Sequence, residues 1–449
     1  MQIIVVCLLR ILPYHRTFYS THPSCCTPMH DLPEHDPADI SQPYETSRYA
    51  SLVLNLGRAL HRVGSPAHRL ETAMQIMADR LGLQAEFFST PTALMVTLGD
   101  GNRQKTYLAR VEPGSANLAK LAELTEVMEQ LARGILEPDE ADRRVKQIDQ
   151  REPQYQGATL LFAFVLVSAG VGALIGGGWR ELMLAAVLGG VTGASVMGLT
   201  YLGTAGRPEL IRLLTPLTAM LVTFLGTLWC GFDGQTALMP SVIAGMIALL
   251  PGRDLTVSAR ELATGHMVSG AARAAYTLMI FALLTFGLML GGGVGQWLIG
   301  PVELLQPNAP PLWLMASGFG LAALGFTVLF QAHWRDWIWM LLACLVASTS
   351  IGFGNLLESP VMAAFIGGLA VGLAGNLFAR LSGRPGSILH LPGLILLVPG
   401  SIGMRSLTAL LDHNVISGIE TAFLAGMIAV ALTTGMILAS VLIPPKISL

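Results

Sequence analysis

Residues 249–290 read LLPGRDLTVSARELATGHMVSGAARAAYTLMIFALLTFGLML, and residues 397–438 read LVPGSIGMRSLTALLDHNVISGIETAFLAGMIAVALTTGMIL. The two stretches lie 148 residues apart without a gap and are identical at 14 of 42 positions. Each has a Pro-Gly pair, then a polar run, then an apolar segment. Proline removes a backbone donor and glycine permits φ > 0, so each pair is expected to interrupt a helix in a conformation that alanine would reject. Paired interruptions of this kind in two halves of a membrane protein indicate a binding site.

The composition is that of a membrane protein with a charged N-terminal part. Hydrophobic residues make up 52% of the chain and charged residues 12%, with a mean hydropathy of +0.58, whereas soluble domains are about a quarter charged. No Lys/Arg cluster is interleaved with aromatic residues, so no nucleic-acid partner is expected. Cys25 and Cys26, near His22 and His30, fit no zinc-binding spacing, and the sequence predicts neither a metal nor another cofactor.

Four regions are predicted along the chain. Residues 1–47 are interpreted as a disordered leader, or as sequence upstream of a true start at Met29, because the apolar run at their beginning is too short to span a bilayer. Residues 48–155 are predicted to form a cytoplasmic α+β domain. Residues 156–300 and 301–449 are predicted to form two membrane units of five spans each.

The predicted soluble domain has recognisable helix and strand patterns. Ser65 is a candidate N-cap and Pro66 a candidate first residue of its second helix, whose apolar face carries Leu70, Met74 and Met77. Residues 85–98 have a β-like pattern and are followed by a hairpin onto a further strand. Helices are predicted at 49–61, 118–131 and 139–148, and the second strand at 105–111.

Ten apolar segments predict a polytopic α-helical membrane protein. They are 158–176, 181–203, 213–231, 236–250, 271–290, 311–330, 337–353, 361–378, 388–400 and 418–441. The segments 236–250 and 388–400 are short for the roughly 20 residues that a span needs. Both end at the Pro-Gly pairs, so they are interpreted as half-helices.

The loop charges orient these spans by the positive-inside rule. With residues 48–155 placed in the cytoplasm, nine basic residues fall on the inside and two on the outside. The inside residues are Arg207, Arg212, Arg253, Arg260, Arg273, Arg335, Arg380, Arg384 and Lys446, and the outside residues are Arg180 and Arg405. This places the first Pro-Gly pair at an inner end and the second at an outer end. The fold class expected is therefore an inverted 5+5 repeat of about ten transmembrane segments behind an N-terminal α+β domain.

The polar runs after the Pro-Gly pairs carry the candidate binding residues. Helices starting there would present free N–H groups at Asp254 and Ser401 to a substrate carboxylate, and acidic side chains would hold its ammonium group. The candidates are Pro251, Gly252, Asp254, Glu261, Pro399, Gly400, Ser401, Arg405, Asp412 and Glu420. His266 and His413 are candidate proton relays because imidazole titrates near neutral pH. The plainer alternative is that these charges cap helices and anchor loops.

No motif for nucleotide binding or hydrolysis is present, so the sequence predicts a protein that is not an enzyme. Two other classes stay open. An intramembrane enzyme would need Asp412 and His413, or the segment 64–71, to be catalytic, yet no nucleophile lies at motif spacing from them. A sensor would use the membrane part only as an anchor, for which ten spans are more than are needed.

Several motifs occur together between about residues 48 and 441. They are Gly64-Ser65-x-x-x-Arg69-x-Glu71, Pro91-Thr92, the helix 141–155 with its Tyr155, Leu250-Pro251-Gly252 with Glu261-Leu262 and Gly265, and Leu397-Val398-Pro399-Gly400-Ser401. In these motifs the sequence resembles the threonine/serine exporter family in its fused form. This resemblance implies a cytoplasmic domain with five spans, a second unit of five spans, and export of small hydroxy amino acids driven by the proton gradient. It does not transfer substrate-binding residues.

The expectation is a multi-pass exporter of L-threonine and L-serine in a bacterial inner membrane, with both termini cytoplasmic. Its partners would be a small hydroxy amino acid and the lipid bilayer, and assembly into a homo-oligomer is left open. The alternative substrate is another small metabolite such as the dicarboxylate succinate. The basic residues of the polar run after the first Pro-Gly pair would suit a dicarboxylate as well as the carboxylate of an amino acid.

Overall fold

The computed structural model describes residues 43–99, 104–112, 114–175, 178–302, 305, 310–397, 402 and 415–445. Nearly all of the predicted leader lies outside these ranges. The N-terminal region consists of α1 Pro43–Arg62, α2 Ala67–Arg80, β1 Ala85–Thr90, β2 Ala93–Leu98, β3 Lys105–Arg110, α3 Leu118–Ala132 and α4 Pro138–Gln150. The membrane bundle consists of α5 Gly157–Leu174, α6 Trp179–Thr204, α7 Glu209–Asp233, α8 Leu238–Gly245, α9 Gly252–Ala263, α10 Met267–Ile299, α11 Leu312–Leu329, α12 Trp337–Leu356, α13 Pro360–Ser382, α14 Ser387–Leu397 and α15 Val415–Leu442.

The three strands form an antiparallel sheet in the order β1-β2-β3. Residues 85–98, predicted as one β-like segment, are two strands that turn at Pro91 and Thr92, with Ala85 opposite Leu98. Proline suits such a turn because its φ is fixed and it has no N–H to donate to a ladder. The hairpin predicted between the second and third of these strands is present.

The core of the N-terminal region uses the apolar faces that the helical spacing predicts. Leu70 and Met74 of α2 are fully buried, together with Leu94 of β2 and Leu124 of α3. Burial of side chains of this size stabilises a fold by about 1.5–3 kcal/mol each. The spacing of these residues therefore decides which side of each helix faces the sheet.

The start of α2 differs from the prediction. The helix begins at Ala67, and Pro66 is the N-cap residue without a side-chain capping bond. The N–H of Ala67 instead donates to Oε1 of Glu261, at 2.9 Å. A carboxylate is favoured there because the N-terminus of a helix is the positive end of its dipole. A side chain of the membrane bundle therefore caps a helix of the N-terminal region.

The bundle is that of a polytopic membrane protein. Eight helices in the described chain are long and apolar enough to cross a membrane, and α8 with the helical stretch 247–263 forms a bent pair that would make a ninth. The predicted segment 388–400 corresponds to α14, a shorter apolar helix. Of the two segments predicted to be half-helices, 236–250 is thus part of the bent pair and 388–400 corresponds to the short helix.

The offset of 148 residues recurs in the helix boundaries. The 3-10 turn before the first Pro-Gly pair ends at Leu249, and α14 ends at Leu397. After the polar runs, α10 begins at Met267 and α15 at Val415. The duplicated sequence is thus accompanied by equivalent helix ends.

The same offset recurs in two pairs of close helix contacts. A Cβ placed at Gly170 of α5 would lie 2.7 Å from the carbonyl oxygen of Gly318 of α11, and one at Gly318 would lie 3.0 Å from that of Gly170. A Cβ at Gly287 or at Gly435 would lie 2.4 Å from a carbonyl oxygen of α7 or α13, respectively. Small residues allow such close packing of membrane helices. Alanine at Gly287 would therefore disturb the bundle.

The N-terminal region is attached to the bundle at several points. Tyr155 and Gln331 exchange two hydrogen bonds of 2.8 Å through the backbone of the tyrosine. Backbone N–H groups at the start of α3 donate to the carbonyl groups of Phe330 and Gln331. The guanidinium of Arg253 donates to the carbonyl of Gly64 at 2.9 Å. These contacts reach elements on both sides of residue 300.

Candidate functional site

The first Pro-Gly pair lies shortly after a bend in the bundle. At Met246, α8 and the helical stretch 247–263 meet at 54°. Pro251 precedes α9 with φ −83° and ψ 32°, and Gly252 is the first residue of that helix. Gly252 is not among the described residues with left-handed φ, so the expectation that this position needs φ > 0 is wrong. Pro251 separates the 3-10 turn 247–249 from α9, and it suits this position because the start of a helix does not need its missing N–H.

A cavity of about 390 Å³ opens against this bend, and we call it the central cavity. Residues 247–254 form one side, and parts of α5, α11, α12 and α14 form the others. Ser115, Arg253, Asp254 and Ser348 contribute polar side chains to a wall that is otherwise mainly apolar. Small-molecule sites usually have this composition and volumes of roughly 300–1,000 Å³. The central cavity thus has the size and lining of a site for a small ligand.

Asp254 provides the carboxylate of the central cavity. Its side chain is buried, and its Oδ1 lies 3.6 Å from Nη1 of Arg273. It belongs to the first turn of α9, whose N–H groups have no partners within the helix. The positive end of the helix and an acidic side chain therefore lie side by side, which suits the two charges of a zwitterion.

Glu261 lies elsewhere, although the sequence groups it with Asp254. It is 0% exposed, and it does not line the central cavity. Its carboxylate accepts a hydrogen bond from the N–H of Ala67 and two from the guanidinium of Arg273, at 3.1 and 3.3 Å. Its observed contacts attach the N-terminal region to the bundle, and a role for it in substrate binding stays a prediction.

His266, the first candidate relay, precedes α10 and contacts the N-terminal region. Its Nε2 lies 3.1 Å from Oε2 of Glu71, while Oε1 of Glu71 accepts a hydrogen bond from the N–H of Ser89 at 2.7 Å. An imidazole and a carboxylate in contact can exchange a proton. The geometry is compatible with a relay and equally with a docking contact.

The second set of candidate residues falls largely outside the described residues. This holds for Pro399, Gly400, Ser401, Arg405, Asp412 and His413. Glu420 is described and lies exposed near the start of α15. Leu396, close to the second Pro-Gly pair, lines the central cavity. The described chain therefore brings the approach to the second pair, but not Glu420, to this cavity.

A group of basic residues was missed by the sequence reasoning. Arg69 of α2 donates to Oγ of Ser387 at 2.8 Å, and its Nη2 lies 3.1 Å from Nδ1 of His390. His68 and Arg260 lie beside them in the same pocket wall. The sequence contains one signal for this group, because His390 is an ionisable residue within an apolar segment. Arg69 belongs to the family motif at residues 64–71, and that motif does not indicate a contact with the bundle.

The imidazole of His68 is neutral at physiological pH. Burial, together with the positive charges of Arg260 and Arg69, lowers the pKa of His68 to about 2. Burial and the charges of Arg260 and Arg253 also lower the pKa of Arg69, to about 9, so that this guanidinium stays charged near pH 7. The group therefore combines arginine cations with uncharged imidazole.

The fold and the site define a polytopic membrane protein in which a bent helix opens onto an internal cavity. Two family models described as threonine/serine exporter match the chain, over residues 51–294 and 317–442. The chain therefore belongs to the threonine/serine exporter family, a family of membrane transporters. The resemblance predicted from the motifs is confirmed.

Curated relatives include bacterial and fungal proteins. The threonine/serine exporter of Corynebacterium glutamicum is 26% identical over 339 residues, which cover 72% of this chain and 66% of the relative. Pheromone-regulated membrane protein 10 is 25% identical over 367 residues in Eremothecium gossypii (79% of this chain, 48% of the relative). In Debaryomyces hansenii it is 25% identical over 388 residues (82% and 37%). The chain thus spans between about a third and two thirds of these relatives' lengths. No solved structure matches it significantly.

Proposed function

We propose that this chain exports L-threonine and L-serine and that the central cavity binds them. The observation that carries the proposal is the placement of Asp254 and the start of α9 on the wall of a cavity of about 390 Å³. The N–H groups of α9 would bind the substrate carboxylate, and Asp254 would bind the ammonium group. The exporter among the relatives supports the substrate class. Pro251, Gly252 and the second Pro-Gly pair would complete the site.

The proposed driving force is the proton gradient. The contact between His266 and Glu71, 3.1 Å long, is the described pair best suited to proton movement at the edge of the bundle. His413 would take the corresponding role in the second unit. Two features support this proton step: the titratable imidazole groups of His266 and His413, and the contact of His266 with Glu71.

The proposed transport mechanism is alternating access between two inverted units of five spans, residues 156–300 and 301–449. The shared helix ends and the contact of Gly170 with Gly318, equivalent residues of the two units, support this arrangement. Inverted repeats of this kind move against each other around a fixed binding site. The cavity wall draws on both units, as such a mechanism requires.

Purified protein in proteoliposomes with an imposed pH gradient is expected to transport labelled threonine and serine in preference to succinate. Asp254→Asn should lower threonine transport by at least about tenfold, since loss of a charged hydrogen-bond partner costs about 1.5–3 kcal/mol. Asp79→Asn, which alters an exposed residue of α2, is the control and should transport normally.

Two results of this assay would contradict the proposal. Transport of succinate above threonine, unaffected by Asp254→Asn, would assign the cavity to dicarboxylates. Threonine transport that is equal with and without the pH gradient would remove the proton coupling while leaving the substrate assignment intact.

We place the protein in a bacterial inner membrane with the N-terminal region and the C-terminus in the cytoplasm. Predicted inner loops supply contacts of that region, through Arg253, Gln331 and Ser387. Arg180 and Asp233 of predicted outer loops pair with each other at 2.5 Å. Reporter fusions after Leu131 and Leu449 should both show cytoplasmic activity. Periplasmic activity from either fusion would exclude the inverted topology.

A further inference from the structure

A second cavity, of about 170 Å³, lies between the N-terminal region and the bundle, and we call it the interface cavity. Arg69 and His68 of α2, Arg260 of α9 and His390 of α14 line it together with the ends of α13 and α15. A smaller cavity of about 50 Å³ has these four residues in its wall as well. That smaller cavity also touches Arg253, which belongs to the wall of the central cavity.

The interface cavity has positive charge without a matching carboxylate among the described residues. The two nearby carboxylates are engaged elsewhere, Glu71 with His266 and Glu261 with Arg273. A buried charge is costly unless it is paired and hydrogen-bonded. Two guanidinium groups facing one cavity therefore call for an anionic ligand.

The hydrogen-bonding groups around the cavity also lack partners. Within the described chain, both ring nitrogens of His68 and Nε of Arg260 are buried without a hydrogen bond. Buried polar atoms are nearly always satisfied, so unsatisfied ones indicate a missing ligand or water. A neutral imidazole can donate one hydrogen bond to an oxygen atom, and guanidinium binds oxyanions in a fork geometry.

The chemistry of this cavity differs from that of the central cavity. None of the described residues in its wall is acidic, so the ammonium group of an amino acid would find no counter-charge among them. We propose that the interface cavity binds the phosphate group of a small dianion, held between Arg69 and Arg260 with His68 as a hydrogen-bond donor. The bound phosphate stabilises the attachment of the N-terminal region to α9 and α14.

The test measures the melting temperature of the full chain in a non-ionic detergent, with phosphate or chloride at equal ionic strength. Phosphate at about 100 times its Kd should raise the Tm by about 3 °C relative to chloride. Arg260→Gln and Arg69→Gln should abolish this shift. Arg80→Gln, an exposed change at the end of the same helix α2, should leave it intact.

A second measurement distinguishes ligand binding by Arg260 from a purely structural role of this residue. In chloride alone, Arg260→Gln should be at least as stable as the wild type, because it removes an unpaired positive charge from a buried site. An arginine that only supports the fold would lower the Tm under all conditions. The melting temperature is also measured in nanodiscs of phosphatidylcholine with or without phosphatidic acid, in buffer free of soluble phosphate. Stabilisation by phosphatidic acid that depends on Arg260 would show that a lipid phosphate group binds in the cavity.

Three results would overturn the proposal. The first is an equal phosphate shift in Arg260→Gln and wild type, with no Arg260-dependent stabilisation by phosphatidic acid. The second is a chloride effect equal to that of phosphate. The third is protection by threonine that Arg260→Gln abolishes, which would place the substrate in the interface cavity. None of these depends on whether the chain transports threonine.

Discussion

Glu261→Ala is expected to loosen the attachment of the N-terminal region to the membrane helices and to destabilise the protein by about 3–5 kcal/mol. The substitution leaves the half-buried guanidinium of Arg273 with only the more distant carboxylate of Asp254 and removes the acceptor of the Ala67 N–H. Breaking a buried pair from one side is more damaging than the pair is stabilising, because the remaining charge stays in a medium that cannot solvate it.

The measurement combines the melting temperature in detergent with the rate of limited proteolysis of the N-terminal region, which should rise in the variant. Glu261→Gln should lie between wild type and alanine, since the amide oxygen can still accept from Ala67. Glu420→Ala is the matched control: an acidic residue from the same sequence-based candidate set, exposed on α15, whose loss should change stability by less than about 0.5 kcal/mol. Equal melting temperatures for Glu261→Ala and Glu420→Ala would refute the capping role.

Gly352→Phe is expected to reduce threonine transport to background while the protein still inserts and folds. Gly352 of α12 lines the central cavity, and a Cβ added there meets no atom within 4 Å. The new ring can therefore be accommodated without displacing the backbone, and it takes up space that a substrate needs. Transport should fall because the site is filled, with the Tm close to that of the wild type.

Gly426→Phe is the control for this experiment. Gly426 lies on α15, is exposed, and also has free space around its Cβ, but it is not part of the cavity wall. Both variants should be compared at matched membrane abundance. If Gly352→Phe transports threonine as well as Gly426→Phe does, the central cavity is not on the transport route.

The sequence predicts the spans and the interrupted fourth segment well, because both depend on local composition. Long apolar segments can only be satisfied as helices in a bilayer, and a Pro-Gly pair favours an interruption near it. The capping of α2 by Glu261 could not be predicted from local composition. Its partner Ala67 is 194 residues away, and nothing in the polar run distinguishes a carboxylate that caps a distant helix from one that faces a cavity, as Asp254 does.

Two further differences have the same origin. The turn at Pro91 was hidden inside a segment whose composition is β-like throughout, so only the pairing of Ala85 with Leu98 reveals two strands. The interface cavity joins Arg69 and His390, which are 321 residues apart. Local sequence around Arg69 therefore gives no indication that this residue contacts the bundle.

The capping of α2 by Glu261 has a consequence for biogenesis. Ribosomes extend a chain by about 5–20 residues per second, so the 194 residues from Ala67 to Glu261 take about 10–40 s to synthesise. Throughout that interval α2 lacks this cap and is held by contacts within the N-terminal region, chiefly its apolar core around Leu70 and Met74. The N-terminal region, which is synthesised before α9, thus completes its fold late, after the first membrane segments have been made, and its maturation is timed by their insertion.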